Sequence, residues 1–98
     1  EIQSLRLELV PDVAFTQAHE VAKGQGWEIV DTDRSAGRIE ATDTTFWYGF
    51  KDDVVVRLTP EGSATRVDVR SVSRVGLGDL GKNASRIREY LEALRNVS

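Results

Sequence analysis

The chain has no cysteine. Neither a disulfide framework nor a thiolate metal site is therefore available to it, and this absence is compatible with any redox compartment. No apolar stretch approaches the roughly 20 residues of a membrane span, and no signal-peptide pattern is visible. Basic residues are not in excess: 13 Lys and Arg stand against 16 Asp and Glu, for a net charge of −3. The basic footprint that nucleic-acid binding usually requires is missing. There is one histidine, and there are no internal repeats, low-complexity segments or interdomain linkers. What is present is ordinary for a globular protein. Its 98 residues, 40% hydrophobic and 30% charged, make one domain with a single modest core. The first residue is Glu1 rather than Met, so residues 1–98 are expected to be a processed or excised part of a longer chain.

Leu5, Leu7 and Leu9 alternate with Ser4, Arg6 and Glu8, the period of a half-buried strand. Pro11 and Asp12 form a helix start, and Ala14, Phe15, Ala18, Val21 and Ala22 share one helical face. Gly24, with Gly26 close behind, is expected to supply a left-handed stop. Trp27 and Ile29 open a second strand, which the turn-rich stretch Asp31 to Gly37 should end. Arg38 to Thr45 alternates again, with Ile39 and Ala41 on one side. Asp53 to Thr59 is Val-rich, and Pro60 to Ser63 reads as a hairpin loop. A strand from Thr65 to Val75 follows. In the last helix, about Asp79 to Val97, Leu80, Ala84, Ile87, Leu91 and Leu94 form one stripe.

The element order β-α-β-β-β-β-α with short links predicts a two-layer α+β domain. Its antiparallel sheet of about five strands carries both helices on one face and leaves the other solvated. This order is that of the TATA-binding-protein-like architecture, an analogy that says little about activity.

Gly76, Gly78 and Gly81 spell G-x-G-x-x-G, and Gly76 to Lys82 spell G-x-x-x-x-G-K. Such loops bind phosphate when backbone N–H groups and a helix N-terminus converge on the anion. Here Asn83 stands where magnesium binding needs Ser or Thr, and Asp79 would repel a phosphate. No acid-bearing strand follows, and the preceding strand alternates with polar residues instead of being buried on both faces. The expectation is a strand-to-helix turn with Asp79 capping the helix, and no nucleotide.

Asp52 and Asp53 are neighbours on a strand and point to opposite faces, which favours ionic roles over acid–base work. In one hairpin register Asp53 faces Arg70; in another Arg57 faces Asp68. Asp31 and Asp33 lack the remaining ligands of a calcium loop and read as a turn. His19 has no nucleophile beside it in sequence and is expected at the surface. Asn83 falls near the apolar stripe, where its amide needs partners. It ties the preceding loop to the helix or lines a small polar pocket with Ser71, Ser73, Arg74 and Arg86. Phe46, Trp47, Tyr48 and Phe50 carry most of the aromatic mass. Alternation sends Trp47 to the face opposite the other three, so they are either core caps at the sheet edge or an interaction surface.

Three pieces together resemble a known family: Phe50-Lys51-Asp52-Asp53-Val54, Asp68 to Gly76 (DVRSVSRVG), and Asp79-Leu80-Gly81 with Asn83, Arg86 and Ile87. They are similar to domain-of-unknown-function family fourteen ninety-nine over roughly Gly37 to Leu94. The resemblance implies an α+β domain of bacteria and plants, often beside secretion signals or membrane segments, with no established activity. The family commonly has a Cys-containing segment ahead of the first strand, which this chain lacks. The resemblance also links the D-D, R-S-x-S-R and D-L-G-x-N pieces into one signature, expected to form a polar cluster at one end of the sheet.

Two functional readings follow. The first is a non-catalytic binding or interaction domain associated with a bacterial envelope. It would meet a protein or membrane-proximal partner through the aromatic stretch or the open charged sheet face. The second is a small anionic-ligand or enzymatic site built on Asp53, Arg70, Ser73, Arg74, Asp79 and Asn83. The first is favoured because no nucleophile–base pair, metal set or credible cofactor loop is identifiable. No metal, cofactor or nucleic acid is expected.

Overall fold

The computed structural model describes residues 2–44, 51–74 and 80–98, with the side chain of Leu80 excepted. The elements are β1 (Ile2–Leu7), α1 (Pro11–Gly24), β2 (Glu28–Asp33), β3 (Arg38–Thr44), β4 (Lys51–Glu61), β5 (Ala64–Ser73) and α2 (Leu80–Val97). The strands form one antiparallel sheet in the order β1-β5-β4-β3-β2. Strands β2 to β5 are sequential neighbours, as short connections require, and β1 closes the far edge against β5. No helix among the described residues is long and apolar enough to cross a membrane.

Both helices cover one face of the sheet. Leu7, Ile39, Ala41, Val54, Val56, Leu58, Val67 and Val69 are buried on that face, each an alternate residue of its strand. They meet Ala14, Phe15, Ala18 and Ala22 of α1 and Ile87, Tyr90, Leu91 and Leu94 of α2. Every fully buried Val, Leu, Ile or Phe side chain contributes about 1.5–3 kcal/mol. Leu5, Leu9, Val21 and Ile29 are only partly buried and pack around this core.

Tyr90 is the largest fully buried side chain, on a helix whose apolar stripe reads without it. Its ring stacks on Trp27 with centroids 4.8 Å apart, and its hydroxyl donates to the Ala18 carbonyl at 2.8 Å. The small Ala14, Ala18 and Ala22 make room for it on α1. Burial of the hydroxyl pushes its pKa well above the ordinary tyrosine value, because the phenolate would lose its water there.

Several boundaries differ from the expectation. The α1 stop is a Schellman arrangement in which Gly26 N–H bonds Lys23 O at 3.0 Å and Trp27 N–H bonds Ala22 O at 3.3 Å. Gly26, at φ +84°, takes the left-handed position, while Gly24 remains helical. Strand β2 continues through Asp31 and Asp33 because a bulge at Val30 keeps both opposite β3. The turn therefore shrinks to Arg34–Gly37. The Asp33 carboxylate closes it by accepting from Ser35 Oγ at 2.8 Å and Ala36 N–H at 3.1 Å. These bonds hold the Asp33 pKa below the usual carboxylate range. Arg34 fastens the turn to α1, donating to the Asp12 carboxylate at 2.5 Å and lying 4.6 Å over the Phe15 ring.

The β4–β5 hairpin is also tighter than a Pro60–Ser63 loop. Pairing persists to Glu61 and Ala64, so only Gly62 and Ser63 turn. Pro60 stays in β4, beyond Arg57 where pairing with β3 ends, a position open on one side that tolerates proline. This closure opposes Arg57 to Asp68 and Asp53 to Val72. The register that would face Asp53 to Arg70 is not the one formed.

Candidate functional site

The inward face of the sheet changes character at one end. There Asp43 of β3, Asp52 of β4 and Ser73 of β5 stand side by side in register. Ser71 lies one inward position along β5, opposite Val54. Parity dictates this placement: Asp43 follows Ile39 and Ala41, and Asp52 precedes Val54 and Val56, on the same faces. Two carboxylates facing each other on adjacent strands repel. Helix α2 supplies the compensation with Asn83 and Arg86, three residues apart and therefore on one side of the helix.

The Arg86 guanidinium fills the space between the carboxylates. Its Nε donates to Asp43 Oδ2 at 2.7 Å and its Nη2 to Asp52 Oδ2 at 2.6 Å. Its Nη1 donates to Asn83 Oδ1 at 2.6 Å and to Ser71 Oγ at 3.0 Å. Ser71 Oγ in turn donates to Asn83 Oδ1 at 2.7 Å, and Asn83 Nδ2 donates to Ser73 Oγ at 3.1 Å. Arg86 and Asp52 have side-chain exposures of 6% and 5%, against 29% for Asp43. A guanidinium so buried is tolerable only with its donors satisfied and its charge opposed. Both conditions are met here.

The outward face at the same end carries a separate ion pair. Arg74 Nε lies 2.9 Å and 3.0 Å from the two Asp53 oxygens, with Nη2 2.8 Å from Oδ1. Its Nη2 also reaches Thr42 Oγ1 at 3.4 Å, covering a threonine that is buried although it faces outward. The Asp53 hydrogen bonds, with Glu28 nearby, raise the Arg74 pKa above its ordinary value.

The expected site residues are thus divided between two faces. Ser73 and Asn83 meet inside, joined by Ser71 and Arg86, whereas Asp53 and Arg74 pair outside. Arg70 is exposed on the outward face, in register with Ile2 and Val55, and does not meet Asp53 or Asn83. Asp79, the other loop glycines Gly76 and Gly78, and the aromatic residues Phe46, Trp47, Tyr48 and Phe50 lie outside the described residues. Asp43, and Asp52 as the partner of Arg86, were not anticipated; the parity of β3 and β4 was the available signal. Among the described residues no three His, Cys, Asp or Glu side chains are grouped to hold a metal. His19 sits on α1 beside Glu20 at 3.8 Å, away from the cluster.

The cluster draws on all three sequence pieces that carry the resemblance, through Asp52, through Ser71 and Ser73, and through Asn83 and Arg86. Residues 1–94 match the model of "Protein of unknown function (DUF1499)". The chain belongs to the DUF1499 family. No curated protein matches it. Among solved structures, that of Ara h 8.0201 is similar at 10% identity and a TM-score of 0.48, over 99% of this chain and 95% of that one. That of TTHA0849 from Thermus thermophilus is similar at 14% identity and a TM-score of 0.44, over 97% and 90%. Likeness at these scores carries no functional inference. In this DUF1499 chain the two adjacent aspartates serve opposite faces, Asp52 binding Arg86 inside and Asp53 binding Arg74 outside.

Proposed function

We propose that this DUF1499 domain is a non-catalytic binding or interaction module serving a bacterial envelope. The supporting observation is how its chemistry-bearing residues are used. Arg86, Asp43, Asp52, Asn83, Ser71 and Ser73 bond one another in the interior, so they form a frame joining the ends of β3, β4 and β5 to α2. The frame stands at the roots of the two functional candidates in the chain. Segment 45–50, with Phe46, Trp47, Tyr48 and Phe50, is tethered to the paired Thr44 and Lys51. Segment 75–79 follows Arg74, whose N–H bonds Lys51 O at 3.2 Å. In this reading the aromatic residues contact a protein or membrane-proximal partner, and the outward charged sheet face is the other available surface.

The test is substitution of Trp47 and Phe50 together by serine. Side chains kept for a partner leave the isolated domain's melting temperature within about 2 °C of the parent. Trp47 should also be quenched by acrylamide in the parent, in contrast to the buried Trp27. A drop of more than about 10 °C would mean that these aromatics belong to the core, and the reading would lose its contact surface. Saturating nucleotide that raises the melting temperature by several degrees would instead reinstate the glycine segment as a phosphate site.

A further inference from the structure

The outward face of the sheet is laced with ion pairs. Arg6 meets Glu8 at 3.2 Å, Arg38 meets Asp31 at 3.2 Å, Arg66 meets Asp68 at 3.1 Å and Glu61 at 3.3 Å, and Arg74 meets Asp53 at 2.8 Å. Two guanidiniums stand apart from this pattern. Among the described residues, Arg57 of β4 and Arg70 of β5 have neither an acidic partner nor a hydrogen bond through their side chains. Arg57 is directly opposite Asp68, yet both Asp68 oxygens are already engaged, Oδ1 by the Ser4 hydroxyl and Oδ2 by Arg66 Nε. On its other side Arg57 faces another arginine, Arg38.

Arg57 and Arg70 occupy diagonal positions of one antiparallel pair, about 7–8 Å apart at the backbone and within reach of each other's long side chains. Asp68, which also lines this spot, is balanced by Arg66 at 3.1 Å, so Arg57 and Arg70 leave a local positive excess in a chain of net charge −3. Their neighbours add a second feature. Ile2, Arg70 and Val55 form one row across β1, β5 and β4, with Ile2 63% exposed. Ile2, Val55, Arg57, Asp68 and Arg70 together line an open cavity of about 270 Å³ whose lining is mainly apolar.

We propose that this cavity binds a small oxyanion, a phosphate or carboxylate, that bears a short apolar substituent. The Arg57 and Arg70 guanidiniums bind the anion by charge-assisted, bidentate hydrogen bonds, and Ile2 and Val55 receive the substituent. The site is distinct from the interior cluster, because Asn83 and Arg86 lie on the other side of the sheet. It deepens the reading of the domain as a binding module and rests on it. The two fail separately, since the Trp47 and Phe50 substitutions leave Arg57 and Arg70 untouched.

The test is an amide NMR titration of the whole domain with hexyl phosphate, with inorganic phosphate, and with phosphatidylglycerol vesicles. The expected result is saturable binding of hexyl phosphate at millimolar concentration or below, with shifts centred on Ile2, Val55, Arg57 and Arg70. Arg57→Gln and Arg70→Gln should each weaken it about tenfold, while Arg6→Gln, which removes a carboxylate-paired arginine of the same face, should leave it unchanged. Inorganic phosphate binding more weakly at the same residues supports the apolar contribution. Vesicle binding that depends on the same two arginines supports the site and assigns the oxyanion to a lipid headgroup. Absence of saturation in every arm, or equal weakening by Arg6→Gln, overturns the proposal. All three arginines are exposed, so the variants are expected to fold, and an unchanged melting temperature verifies it.

Discussion

Gly37 shows how narrowly a single residue can be specified. Its φ is +67°, and a Cβ built there would lie 2.3 Å from the Leu58 carbonyl oxygen, while the Gly37 carbonyl accepts from Leu58 N–H at 2.7 Å. Strain and backbone overlap act together, so Gly37→Ala is expected to destabilise the domain by about 2–4 kcal/mol in urea unfolding. Tyr90 is specified by chemistry instead. An ordinary tyrosine ionises near pH 10, and burial raises that value in the fold. The fold therefore excludes the phenolate: the Tyr90 contribution is intact below about pH 10 and is lost as pH rises above it. In an alkaline absorbance titration, Tyr90 should ionise only as the domain unfolds, whereas Tyr90→Phe should remove this component at a cost of about 1 kcal/mol at neutral pH. The outward pair behaves differently again. Arg74 and Asp53 are both about half exposed, so Arg74→Ala should lower the urea midpoint only slightly, and less at high salt. At this scale the sequence was legible where a residue type has one use. Alternating Val and Ile marked the core, whereas Tyr90 and Arg86 did not stand out because each type is at home on a surface as well.

At the scale of elements, strands and helices followed from periodicity, but their ends and register did not. The β4–β5 pairing illustrates the reason. Facing Asp53 to Arg70 and facing Arg57 to Asp68 differ by a shift of two residues, which leaves every inward residue inward. Alternation cannot separate them; the length of the turn does, and pairing through Glu61 and Ala64 selects the second. The expected cluster was partly legible for a related reason. Ser71, Ser73, Asn83 and Arg86 were grouped by spacing, but Arg70 and Arg74 have the opposite parity on β5 and face outward. The packing of α1 on α2 provides an element-level prediction. Ala18 is fully buried and accepts the Tyr90 hydroxyl, so Ala18→Leu should force the helices apart. The expected loss is about 1–3 kcal/mol, with weakened near-ultraviolet circular dichroism from the Trp27–Tyr90 stack.

Across the whole molecule, one interior has two kinds of lining. Most of the space between helices and sheet is apolar, and one end of it holds a polar network with one guanidinium between two carboxylates. Residues far apart in sequence, on β3, β4, β5 and α2, thereby contribute to a single frame beneath the sheet end. Asp52 and Arg86 are structural partners, and a double-mutant cycle measures their coupling directly. Urea unfolding of the parent, Asp52→Asn, Arg86→Met and the double variant would supply the coupling energy. Arg86→Met is expected to cost about 3 kcal/mol because it leaves two facing carboxylates without their cation, and Asp52→Asn about 1–2 kcal/mol because Asp43 still opposes the guanidinium, with a coupling of at least about 1 kcal/mol between the two sites. Single losses below about 0.5 kcal/mol with no coupling would contradict that partnership and return these residues to candidacy for a working site.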